Sequence, residues 1–167
     1  MKAKFDRPEI IDNITIALFL VMIVAMFIVC FSFENKLWMF LTAAVFLVIM
    51  YILLAFHGEI IAGEKSVVVI YTFGGKRVGK KFIAYKDIDR TECGVKTGGD
   101  RWGRVHYTMT FTIKMKGVSR ITVFKSLDIS ANFPAEQPDK YKQYLHEQPL
   151  MQISHYIDSK LHLNTTV

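Results

Sequence analysis

Charge is missing from two long stretches of this 167-residue chain, and cysteine and proline are scarce throughout. Cys30 and Cys93 are the only cysteines, one inside an apolar run and one outside it. That pair excludes a disulfide framework and reads as two reduced structural thiols. His57, His106, His146, His155 and His162 show no metal-ligand spacing with acids or cysteines. No Ser–His–Asp or Cys–His set is suggested by spacing, so neither a metal nor a cofactor is expected. Gly74-Gly75-Lys76-Arg77-Val78-Gly79-Lys80-Lys81 nearly spells a phosphate-binding loop. It fails because Lys81 replaces the magnesium-binding hydroxyl and because the segment joins strand to strand, with no helix N-terminus for phosphates. A removable signal peptide is not expected either, because the first apolar run is too long and lacks a small-residue cleavage site.

What the chain does have is the pair of uncharged runs Ile14–Phe33 and Leu37–Phe56, each 20 residues long, separated by Glu34-Asn35-Lys36. At 1.5 Å per residue each would extend roughly 30 Å, about one hydrocarbon core. Neither carries a polar stripe at helical spacing. The expectation is a transmembrane helical hairpin over residues 14–56. Lys2, Lys4 and Arg7 flank the first run and Lys65, Lys76 and Arg77 follow the second, while the turn holds only Lys36. The positive-inside rule then places both termini in the cytosol and the turn outside. No ionisable residue lies in either run, so the hairpin reads as an anchor and not as a channel or pump.

Residues 1–13 read as a cytosolic flank, His57–Lys65 as a linker or first edge strand, and 57–167 as one small cytosolic domain. Val67–Phe73 is β-branched and aromatic, and Gly74-Gly75 supplies a two-residue hairpin turn into a strand over Lys76–Tyr85. Ile88–Val95 reads as a third strand and Lys96–Arg104 as a glycine-rich loop. Val105–Met115 alternates apolar and polar residues, Gly117 turns the chain, and Ser119–Lys125 pairs back. Five strands joined in this way predict an antiparallel meander. Asp139–His146 reads as a short helix. Leu150, Ile153, Ile157 and Leu161 mark the buried stripe of a closing helix.

Basic charge is concentrated in the domain. Residues 76–125 hold 13 Lys or Arg against 4 Asp or Glu, a local excess of nine positive charges against six for the whole chain. The candidate binding residues are Lys76, Arg77, Lys80 and Lys81 on the first hairpin, with Arg101, Trp102 and Arg104 on the glycine-rich loop. Ammonium and guanidinium groups there suit anionic headgroups or an acidic partner, and a tryptophan between arginines suits an interface.

In its order of parts, over Phe5–Phe124, the chain resembles the bacterial pleckstrin-homology-like membrane proteins. The local match is Glu64–Glu92, where an opening hairpin is followed by a strand entered through Ile83-Ala84-Tyr85-Lys86-Asp87-Ile88-Asp89. The resemblance implies a membrane-anchored α+β protein: a two-helix hairpin, then an antiparallel β domain like half a barrel, capped by a C-terminal helix. It also implies a binding platform without catalysis. The functional expectation is a non-enzymatic inner-membrane protein that presents a basic domain to a protein partner or anionic lipid, with no role for nucleic acid. The alternative is a structural accessory subunit of a larger membrane complex, contacting it through the two spans; the expected partner is another protein or a second copy of the chain.

Overall fold

In the computed structural model, which describes residues 1–32, 36–99 and 104–165, the first eight residues already belong to the core. Lys2-Ala3-Lys4-Phe5 alternates charge with apolar surface, the period of a half-buried strand. It forms β1 (Lys2–Phe5), with Ala3 and Phe5 each 2% exposed. After Asp6 the chain continues as β2 (Arg7–Pro8), which belongs to a different sheet. Asp6 holds the corner: its backbone N–H donates to the Phe124 carbonyl at 2.9 Å, and its carboxylate accepts from the Ser126 N–H at 2.6 Å.

The helical hairpin follows at once as α1 (Glu9–Ser32) and α2 (Lys36–Leu54). The transmembrane assignment does not stand: among the described residues no helix is long and apolar enough to cross a membrane. The two-span anchor, its cytosolic-termini orientation, the multi-pass inner-membrane placement and a partner interface made of spans are therefore all withdrawn. The helices do keep large apolar side chains exposed, among them Ile16, Leu20, Phe40 and Tyr51.

No linker follows α2. Only Ala55 separates it from β3 (Phe56–Ala62), so the expected tether over His57–Lys65 is largely strand. β4 (Ser66–Phe73) and β5 (Lys76–Ala84) are joined at Gly74 and Gly75, whose φ values of 54° and 80° are the two positive angles of a tight hairpin turn. A 3₁₀ turn over Tyr85–Asp87 leads to β6 (Ile88–Gly99). β7 (Val105–Met115) and β8 (Arg120–Leu127) complete the strands. The expected five-strand meander is thus two four-stranded antiparallel sheets, ordered β1-β3-β4-β5 and β2-β8-β7-β6. Their composition is the second correction to the expected fold. The N-terminal residues contribute a strand to each sheet, and the helices are an insertion between them.

Helices α3 (Phe133–Glu136), α4 (Pro138–Glu147) and α5 (Pro149–Thr165) end the chain. α5 closes the core with the expected stripe: Leu150, Ile153 and Ile157 are fully buried, and Leu161 packs at its edge. Burying each of the three removes about 1.5–3 kcal/mol of apolar exposure. A polar clamp fixes the helix against β6. The Thr91 hydroxyl donates to Asp158 Oδ1 at 2.7 Å, and Ser154 Oγ lies 2.8 Å from the same Thr91 oxygen. Thr91 has a single proton, so Ser154 is the donor in that second bond.

Candidate functional site

The basic hairpin residues sit on β5, an outer strand of the first sheet. Strand register decides which of them act together. The row Ala3–Ile60–Val69–Lys81 faces the core side, because its first three members are buried there. The adjacent rows Lys4–Glu59–Ile70–Lys80 and Lys2–Ile61–Val68–Phe82 must differ by one residue in phase. The first of these therefore faces outward. So does the second, two residues further along.

Arg77 and Lys80 are three residues apart, and in a regular strand they would point to opposite faces. A β-bulge prevents this. Tyr71 pairs with Gly79 and Thr72 with Arg77, so Val78 is the extra residue and Arg77 returns to the outer face. Lys76 pairs with Phe73 and, like Lys81, lies in the opposite phase. The expected quartet is split into an outer pair, Arg77 and Lys80, and an inner-phase pair, Lys76 and Lys81. Arg104 belongs to the other sheet, immediately before β7, while Arg101 and Trp102 lie outside the described residues.

The outer pair gains partners that the sequence reading had assigned to a flank. Lys2 and Lys4 stand on the same face with two strands between, and a single acid, Glu59, lies among them. Lys2 Nζ is 2.9 Å from Glu59 Oε2. The hydrogen bond from Lys2 holds the Glu59 carboxyl below its ordinary range, with Lys4 and Arg77 adding smaller electrostatic contributions. Because the folded-state value is depressed, the stability from this pair is complete above the ordinary carboxylate pKa. It is lost as pH falls through the depressed value. A Glu59→Gln variant should therefore lose less stability than wild type on acidification from pH 5 to pH 3, read as urea midpoints at each pH.

The face is not merely charged. Phe82 is 64% exposed, and Lys80 Nζ lies 4.2 Å from its ring centroid. Val68 and Ile61 flank it in the same row, half-buried. The face thus combines one exposed aromatic ring and aliphatic surface with the cations Lys2, Lys4, Arg77 and Lys80. Its Lys4, Arg77 and Lys80 charges are not matched by Glu59, which is already paired to Lys2.

Comparison with protein-family models, known proteins and solved structures yields no match.

Other chemistry-bearing groups are placed apart from this face. Cys93 is free, and burial pushes its thiol up to about 11, so it is neither a ready nucleophile nor a ready metal ligand. His146 and His155 stack at 5.9 Å, yet among the described residues no group of three His, Cys, Asp or Glu could hold a metal ion. Lys2–Phe5 does alternate charged and apolar residues ahead of the helix, but four residues are too few for that alternation to declare a strand.

Proposed function

We propose that this chain is a non-enzymatic binding module that docks an acidic protein surface on the outer face of the β1-β3-β4-β5 sheet. The observation that carries the reading is Phe82, exposed beside Lys80 and on the same face as Arg77, Lys4 and Lys2. Its ring supplies the apolar anchor, and the surrounding cations select an acidic partner and speed its approach. An anionic lipid headgroup would satisfy the same charges, but it would make little use of an aromatic set among aliphatic side chains on a flat sheet.

The test is a photo-crosslinking residue placed at position 82 of the full chain in its native cells, with position 108 on the other sheet as control. One acidic protein should be captured at 82 and not at 108. Lys80→Glu with Arg77→Glu should reduce its yield by about tenfold or more. Capture of lipid only, or yields unchanged in the double variant, would overturn the reading.

A further inference from the structure

Lys81 is excluded from the docking face by the strand register, and its own surroundings point elsewhere. It lines a cavity of about 360 Å³ at the root of α1, together with Glu9, Asn13, Tyr71 and Arg120. That volume lies within the roughly 300–1,000 Å³ typical of small-molecule sites. Arg120 Nη2 is 2.9 Å from Glu9 Oε1, which fixes the guanidinium and leaves most of its five donors for another acceptor. Lys81 has no ion pair among the described residues. Burial raises the Tyr71 pKa, so its phenol stays neutral and able to donate. One wall of the cavity is the first turn of α1, and directly beyond Asn13 that helix exposes Ile14, Ile16, Phe19 and Leu20. Beside this root end, the last turns of α2 expose Tyr51 and Ile52.

From this juxtaposition we infer that the cavity binds the phosphate head of an anionic amphiphile, whose apolar tail lies along the exposed side chains of α1 and α2. Lys81 and Arg120 outnumber Glu9 and leave a positive excess for the phosphate, which Lys81 meets as a point charge and Arg120 through its planar fork. The tail removes from water the apolar helix surface that starts where the polar cavity ends. Phosphate alone would leave that surface bare, and a neutral lipid would leave Lys81 unmatched. The site uses none of Lys2, Lys4, Arg77, Lys80 or Phe82, so it stands or falls separately from the protein-docking face.

Titration calorimetry of the full chain tests it with three soluble probes: dihexanoyl phosphatidic acid, inorganic phosphate and dihexanoylglycerol. Phosphatidic acid should bind most tightly. Its affinity should fall about tenfold in Lys81→Gln, as for a lost charged hydrogen bond. Lys81→Arg should restore it, and Arg77→Gln with Lys80→Gln should leave it unchanged. Ile16→Asp should weaken phosphatidic acid without altering the response to phosphate. Lys81 and Ile16 are both exposed, so these variants are expected to fold. Equal affinity for inorganic phosphate would overturn the role of the tail. Equal affinity for dihexanoylglycerol, or no change in Lys81→Gln, would overturn the role of the head.

Discussion

A chain truncated to begin at residue 56 should fail to fold, even though it retains six of the eight strands and all of α5. It loses β1 and β2, one outer strand of each sheet, together with one of the segments through which the chain passes from sheet to sheet. Ala3, Phe5 and Pro8 leave the core, and β3 and β8 each lose a partner strand. The chain terminus itself is part of the ladder. The Met1 ammonium donates to the Ala62 carbonyl at 2.7 Å, and the Ala62 N–H donates to the Met1 carbonyl at 2.9 Å. A domain of this size has about 5–15 kcal/mol of stability in total. Phe5→Ala alone should cost about 3–5 kcal/mol, as for other fully buried aromatics. Circular dichroism and urea unfolding of the truncated chain and of Phe5→Ala would check both. A cooperative transition in the truncated chain would show that the two sheets do not depend on their N-terminal strands.

Gly58→Val should be nearly as damaging, by about 3 kcal/mol in urea unfolding. Gly58 pairs with Phe5 on one side and Tyr71 on the other, at the centre of the first sheet. A Cβ there would overlap the backbone carbonyl oxygen of Ile70 and the ring of Phe5. The carbonyl is backbone and cannot rotate away, and Phe5 is packed edge-on against Tyr71 with centroids 6.2 Å apart. The glycine is thus required by close approach and not by a positive φ. Gly63→Ala is the internal control: its nearest neighbour, at 3.4 Å, is in ordinary contact, so it should be nearly neutral.

What could be read from the sequence was local. Val105–Met115 carries a full period of two and forms that strand, with Met109, Phe111 and Ile113 in the core. Gly74-Gly75 is a turn because two consecutive residues need positive φ. Leu150, Ile153 and Ile157 repeat at helical spacing and are buried. The short elements were not legible. Lys2–Phe5 is only four residues and Arg7–Pro8 two, too few for periodicity to stand out beside a long apolar helix. Nor does anything in Lys76–Ala84 announce the bulge at Val78, which depends on how β4 and β5 align across space. Cations could be counted from the sequence, but their grouping into faces could not. Lys80 and Lys81 are neighbours in the chain and face opposite sides of the sheet. The apolar character of residues 14–56 was plain, yet the membrane crossing inferred from it is not upheld among the described residues.

The insertion of α1 and α2 between β2 and β3 also sets an order of events during synthesis. β1 pairs with β3 through Lys2 and Ile61, and β2 pairs with β8 through Arg7 and Phe124. β1 can pair once β3 has been made, whereas β2 must wait for β8 before its hydrogen bonds can close. Such distant pairings carry the loop-closure cost that slows folding. At about 5–20 residues per second, translating from the end of α2 to the end of β8 takes on the order of 4–15 s. Throughout that interval the apolar helices have been made and the second sheet, β2-β8-β7-β6, is still incomplete. The nascent chain then carries exposed apolar helix surface before its β-core has closed, the circumstance in which partly folded chains are most open to aggregation.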